Sequence, residues 1–218
     1  MSGSAPFGQA PPASPWRLLG TLALAGAFAG LLIVLAYDWA QPRIEAHQAR
    51  VLRIAVQEVL HQPASWDRLF VHAGTLVGSL PADADSTALE RVYVGFDATG
   101  REVGFAIVAA KPGFQDVIRL IFGYDRATGT LLGMKVLDSK ETPGLGDKIE
   151  KDSSFVAAFH GTESPLVGVK AGAGEGAANE VDMITGATIS SRTIIDAIND
   201  ALARLRPVLD RYEPGAVR

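Results

Sequence analysis

The longest apolar run in the chain covers residues 18–37, which carry no charge and are rich in Leu, Ala and Gly. That length matches the roughly 20 residues a helix needs to cross the hydrocarbon core of a bilayer. Trp16 and Arg17 precede the run, and Tyr37, Asp38 and Trp39 close it, residue types that anchor helix ends at a membrane interface. The run exceeds the roughly 7–15 apolar residues of a cleaved secretory signal, and no clear small-x-small site follows it. Residues 16–39 are therefore expected to form a retained, single-pass transmembrane anchor. The preceding segment, 1–15, is small, Pro-rich and polar, and is expected to be a disordered tail.

Past the anchor, Pro42 is expected to open a second helical pattern. Ile44, Val51, Ile54, Ala55 and Val59 fall near one face, and Pro63 stops it. Residues 40–63 read equally well as a stalk continuing the membrane helix or as the first packed helix of a domain covering 64–212. From residue 91 the period changes. Residues 91–96 and 102–110 are strand-like around the turn Asp97-Ala98-Thr99-Gly100, and 117–124 and 130–137 repeat the design around residues 125–129. Strands joined by turns this short pair antiparallel, because parallel pairing needs a long crossover. A short helix is expected over 153–159 and another strand over 166–170. A final helix is marked by Ile189, Ile194, Ala197, Ile198, Ala201, Leu202 and Leu205, with Pro207 near its end. The fold class is α+β: a mainly antiparallel sheet flanked by helices, behind an N-terminal transmembrane helix.

The net charge of −4 gives nucleic-acid binding no electrostatic support. There is no cysteine, which excludes disulfides, thiolate-held iron–sulfur clusters and thiol-linked haem or flavin within this chain. Redox chemistry here requires a bound organic cofactor. His47, His61, His72 and His160 are scattered without metal-ligand spacing. Gly172-Ala173-Gly174-Glu175-Gly176-Ala177 fits a loose dinucleotide pattern but opens no helix, and reads better as a surface loop.

Two segments carry candidate chemistry. Asp182-Met183-Ile184-Thr185-Gly186-Ala187-Thr188 is a hydroxyl-rich turn with a small-residue centre, placed where the last helix begins. Unpaired N–H groups and the partial positive charge of a helix start favour a phosphate there. The plainer alternative is that Thr185 or Thr188 caps the helix, a common use of threonine. In Glu141-Thr142-Pro143-Gly144-Leu145-Gly146, Pro143 fixes one φ while Gly144 and Gly146 permit close backbone approach. Such a loop suits a flat ring, with Thr142, Gly144 and Leu145 as candidate contacts; it also suits an ordinary β-to-α turn. Glu141 is a candidate acceptor either for the ring or for the loop itself. Lys148 and Arg192 lie near the two segments as candidate phosphate partners or as ordinary solvated cations.

The run Asp182-x-x-Thr185-Gly186-Ala187-Thr188 resembles the acceptor motif of proteins that carry covalently bound FMN, and every position of the motif is filled. Glu141 to Gly146 resembles the second hallmark of those proteins, a loop lying against the flavin ring. Gly113-Phe114-Gln115-Asp116-Val117-Ile118 is a weaker third echo, so the likeness extends over residues 92–205. Within that group the chain most resembles the G subunits of Rnf-type electron transport complexes. One departure is Ser139, where members often have His before the Lys-Glu-Thr-Pro run.

The resemblance implies an FMN-binding domain whose flavin phosphate is joined to Thr188 by a flavin transferase that reads Asp182, Thr185, Gly186, Ala187 and Thr188. It implies flavin contacts from Thr185, Gly186, Ala187, Glu141, Thr142, Gly144 and Leu145. It further implies a redox subunit without chemistry of its own on soluble substrates, in an ion-translocating complex exchanging electrons between ferredoxin and NAD. The expected partners are the other subunits, the transferase during maturation, and membrane lipid. The expected location is the bacterial inner membrane with the flavin domain on the periplasmic side. A naive positive-inside count opposes that orientation, since Arg17 stands alone before the anchor and Arg43, Arg50 and Arg53 follow it. Three other readings stay open: the C subunit of the sodium-pumping NADH:quinone reductase, which shares both motifs; a membrane-tethered scaffold without cofactor; and a standalone flavoprotein feeding a respiratory or regulatory partner.

Overall fold

A computed structural model describes residues 14–79 and 89–214; the expected disordered tail lies almost wholly outside the described residues. The chain divides into two units, Met1–Ala49 and Arg50–Arg218. The described part of the first unit is helical, within α1 (Pro15–Val59). It contains a stretch of mean hydropathy 2.4, long and apolar enough to cross a membrane, with its side chains exposed. Exposed Leu, Ile and Phe side chains in such density are stable only in an apolar medium or against an apolar partner. Arg43 stacks its guanidinium 3.8 Å from the centroid of Trp39, pairing a cation with an interface aromatic. Pro42, expected to start a new helix, lies inside α1.

The second unit is the α+β domain expected from the alternation of strand and turn signals. Strands β1 (Ser65–His72), β2 (Thr75–Val77), β3 (Arg91–Phe96), β4 (Glu102–Pro112), β5 (Val117–Asp125) and β6 (Thr130–Asp138) form one antiparallel sheet in the order β2-β1-β3-β4-β5-β6. The central strands are buried on both faces, which is why Phe105, Ala106 and Ile107 run without a polar interruption. One face joins Val92, Val94, Phe105, Ile107, Phe122 and Tyr124 to the last helix, α4 (Thr188–Leu209). The other holds Tyr93, Ala106 and Ile121 against Ala55, Val56, Val59 and Leu60 at the end of α1. The contact there is close: a Cβ at Gly123 would lie 2.2 Å from the Val59 carbonyl oxygen. The last turn of α1 and Leu60 therefore pack against this face of the sheet.

Between β6 and α4 lie two short helices, α2 (Lys148–Lys151) and α3 (Ser153–Ala157), and two further strands, β7 (Val167–Lys170) and β8 (Glu180–Met183). β7 and β8 pair in parallel, with Val169 opposite Asp182. With the six antiparallel strands beside this one parallel pair, the pairing is mainly antiparallel, as expected. The glycine-bearing loop makes the crossover without a helix, its end held by Glu180, whose carboxylate accepts the Gly176 amide at 2.9 Å. β1, β2 and β8 carry no clear two-residue period: β1 and β2 are the edge of the sheet, and β8 has only four residues.

Candidate functional site

The chain leaves β8, turns through Ile184 to Gly186 and enters α4 at Thr188. Gly186 sits at φ +84°, a left-handed conformation that glycine adopts without Cβ strain. The turn is closed by the fully buried Ser191. Its Oγ donates to Ala187 O at 2.9 Å and accepts the Ile184 amide at 3.2 Å, while the Ala187 amide donates to Ile184 O at 3.0 Å. Sequence reasoning passed over Ser191; its place three residues after the helix start at Thr188 was the available signal.

With the turn closed from inside, neither threonine caps the helix. The N-cap position is Ala187, which has no side chain to accept an amide. Thr185 and Thr188 are exposed, and among the described residues neither hydroxyl has a hydrogen-bond partner. α4 thus begins with its first-turn N–H groups uncapped and a free hydroxyl on its first residue, the combination that receives an anion. Asp182 is exposed on β8, and Ala187 is buried as a packing residue of the turn.

The Glu141–Gly146 segment lies directly on this turn: a Cβ at Gly186 would be 3.6 Å from Leu145 Cδ2. Leu145 is nevertheless half exposed, leaving an apolar surface beside Gly186. Gly144 has φ +78° and open space around it, so its glycine serves the turn. The Gly144 amide donates to Asp147 Oδ1 at 2.7 Å, and the Leu145 amide to Thr142 O at 3.2 Å. Those amides are occupied within the loop. The Thr142 hydroxyl donates to Gln115 Oε1 at 3.2 Å.

Glu141 is 5% exposed and ties the site together. Its Oε2 accepts the Ser190 hydroxyl at 2.6 Å, and its Oε1 accepts the Gln115 amide at 3.0 Å, with the Asp116 amide at 3.5 Å. Burial raises the carboxyl pKa, but the Ser190 hydroxyl and the amides of the Gln115 loop outweigh it, and the net shift is downward. Two glycines make room for this side chain. A Cβ at Gly113 would meet Glu141 Oε1 at 2.5 Å, and one at Gly146 would meet Glu141 Cβ at 2.7 Å. The sequence pattern offered Gly146 as a point of close approach for a ligand; the group it admits is the chain's own Glu141. Three separate segments of sequence, 113–118, 141–146 and 188–191, converge on one carboxylate.

On the other side of the turn an open groove of about 640 Å³ is lined by Lys148, Phe155, Met183, Ile184 and Thr185. Lys151 at its edge pairs with Asp147 at 2.5 Å, whereas the Lys148 ammonium has no acceptor among the described residues. Arg192 is exposed on α4. Of the histidines, His61 and His160 meet, with ring centroids 4.8 Å apart and Nε2 and Nδ1 respectively on the Leu132 carbonyl oxygen. No group of three or more metal-ligating side chains occurs among the described residues.

Residues 113–203, which hold the Glu141 cluster, the groove and the start of α4, match the FMN-binding domain family. That match places these residues in the class of FMN-binding domains. The chain is 30% identical over 186 residues to the G subunit of the ion-translocating oxidoreductase complex of Methanosarcina acetivorans, covering 85% of this chain and 92% of that one. It is 33% identical over 171 residues to the corresponding protein of Pseudoalteromonas atlantica, covering 78% of each. The chain belongs to the family of G subunits of ion-translocating oxidoreductase complexes. Among solved structures, the fold matches NqrC of Shewanella oneidensis with a TM-score of 0.65 at 18% identity, over 76% of this chain and 98% of that one. It also matches the C subunit of the Na(+)-translocating NADH-quinone reductase of Parabacteroides distasonis, with a TM-score of 0.55 at 21% identity, over 67% and 79% of the chains.

Proposed function

We propose that this protein is a membrane-anchored electron carrier whose FMN is joined through its phosphate to the Thr188 hydroxyl, and that it serves an ion-translocating oxidoreductase complex of the Rnf type. The observation that carries the reading is the exposed, unpartnered hydroxyl of Thr188 on the first residue of an uncapped helix, inside a complete acceptor motif. In the attachment, the Thr188 oxygen loses its proton and forms a P–O bond to the flavin phosphate while that phosphorus gives up its P–O bond to the leaving group, so that relative to free FMN the adduct is lighter by one water. The free amides at the start of α4 take part of the phosphate charge. Lys148, a groove cation without a hydrogen-bond acceptor and with Asp152 as its nearby carboxylate, supplies a further counter-charge, and Leu145 an apolar contact. The bound FMN supplies a ring that takes up and releases electrons; the protein tunes and positions it without side-chain chemistry. Asp182, Thr185, Gly186 and Ala187, on the exposed side of the turn or forming it, are what a flavin transferase reads.

The apolar segment of α1 anchors the chain in the inner membrane, and the flavin domain lies on the periplasmic side. Arg50 and Arg53 belong to the unit that folds with the domain. They nevertheless lie within about 15–20 residues of the anchor and stay in the positive-inside count, which opposes this orientation; the orientation is taken from the family resemblance. Identity of 30–33% to the G-subunit relatives favours the Rnf type over the C subunit of the sodium-pumping reductase, for which the likeness is one of fold. The test is the intact mass and in-gel flavin fluorescence of denatured protein, exported in a host that has the transferase, with wild type and Thr188→Val side by side. The wild type is expected to carry one FMN less water and the variant none. An unmodified wild type overturns the reading.

A further inference from the structure

We infer that Glu141 is a positioning residue for the attached flavin: its carboxylate fixes the first turn of α4 that carries Thr188, and its charge sets the reduction potential of the cofactor. The inference rests on the reading of Thr188 as the FMN site. At 5% exposure, one carboxylate oxygen accepts the Ser190 hydroxyl and the other the 113–118 loop, which turns the group toward the helix start. Glu141 therefore acts on the flavin through the helix start and through space.

Ser190 is two residues beyond Thr188, and the two share the first turn of α4. With no side chain capping that turn, the Ser190–Glu141 bond of 2.6 Å ties it to the 141–146 loop, as the bond of Ser191 Oγ with the Ile184 amide ties it to the chain leaving β8. The cavity that holds the carboxylate is built for it, because a methyl at either Gly113 or Gly146 would strike it. A hydroxyl presented by a braced turn gives the attached phosphate one direction; one on a loose turn does not.

The electrostatic effect follows from what Glu141 lacks. Its partners are a hydroxyl and backbone amides, and no Lys, Arg or His forms an ion pair with it among the described residues. The adjoining Lys140 pairs with Asp116 instead, at 3.3 Å. A buried negative charge without a counter-ion is weakly screened and opposes the addition of electrons to a neighbouring group. Replacing it with an isosteric neutral amide leaves the shape intact and removes the opposition.

The test uses the full-length membrane-anchored chain loaded by the transferase, with the adduct mass measured first. If the wild type carries no FMN, the reading of Thr188 fails, independently of Glu141. On loaded protein, spectroelectrochemical titration of Glu141→Gln is expected to give a more positive potential, with a reduced-to-oxidised ratio about three- to tenfold higher than wild type at fixed ambient potential. Glu141→Asp, which keeps the charge, is expected to titrate close to wild type. Equal potentials for wild type and Glu141→Gln overturn the electrostatic half. A folded Glu141→Gln protein that takes up no FMN beside a loaded wild type places the carboxylate in attachment, and also overturns the inference. Ser190→Ala keeps the charge and cuts the brace, and carries the test if Glu141→Gln does not fold. Its flavin is expected to show lower fluorescence anisotropy than wild type; unchanged anisotropy overturns the positioning half.

Discussion

The two ends of α4 are finished in opposite ways. At its C-terminal end, Arg126 donates to the carbonyls of Leu209 and Tyr212 at 2.6 and 2.8 Å, pairs with Glu102 at 2.8 Å, and lies between the rings of Phe105 and Tyr212. Arg206 adds bonds to the Tyr124 hydroxyl and Ser164 Oγ at 2.8 and 2.9 Å. The carbonyls a helix end leaves open are answered there by the protein itself. At the N-terminal end the corresponding amides have no side-chain cap, and the bracing comes from below, through Ser190, Ser191 and Glu141. One end is closed for stability and the other is left open for an anion, which is how a single helix can both hold the core together and display a cofactor.

Breaking each end should therefore cost different things. The largest expected effect is on loading: Thr188→Val removes the FMN adduct from the mass spectrum, while its stability in urea changes by no more than about 0.5 kcal/mol, as at other exposed positions. Arg126→Met should do the reverse. It strands the mostly buried Glu102 and frees two carbonyls, costing about 3 kcal/mol in urea unfolding, with the adduct retained. Equal loading defects in the two variants would erase the contrast between the ends.

Smaller effects separate the glycines of the Glu141 loop. Gly146→Ala drives a methyl against Glu141 and is expected to cost about 1–3 kcal/mol. Gly144→Ala has open space but a left-handed φ, and should cost only about 1 kcal/mol. Thermal unfolding of the two variants, ranked the other way, would mean that Glu141 does not fill its cavity in solution. The smallest effect is one of pH. Glu141 titrates below its unfolded value, near 4.3, so its contribution is present above about pH 4.3 and is lost as pH falls through the folded pKa. Glu102 behaves oppositely: burial, stronger than the pull of Arg126, raises its pKa. Its contribution is full below about pH 4.3 and declines as pH rises through the folded value. Urea unfolding between about pH 3 and 6 should show Glu141→Gln flattening the acid loss and Glu102→Gln flattening the loss on the neutral side.

Much of this was legible in the chain. The uncharged run of 18–37, the paired strand–turn–strand units over 91–138 and the apolar stripe of α4 are local patterns, written at the periods their structures impose. The parallel pairing of β7 with β8 was not legible, because a four-residue strand has too few positions to show a period and its partner lies across a loop. Pro42 misled for a related reason: proline weakens a helix locally, but the flanking apolar residues carry it through. His61 and His160 looked unrelated at their separation in sequence, yet they share one carbonyl.

The acceptor motif and the glycine-rich loop were both visible as residues, and their order along the chain was enough to mark a phosphate-type site at the start of the last helix. What the residues could not disclose was the assignment of hydrogen bonds. Thr188 could have capped its own helix; it is free because the side chain of Ser191, buried by the fold, closes the turn from the inside. Glu141 could have reached outward to a ring; it turns inward because folding brings the Ser190 hydroxyl and the Gln115 amide within bonding distance. A polar side chain's choice among partners depends on which groups folding has already desolvated around it. That information is held in contacts between distant segments, so the tertiary structure alone decides it.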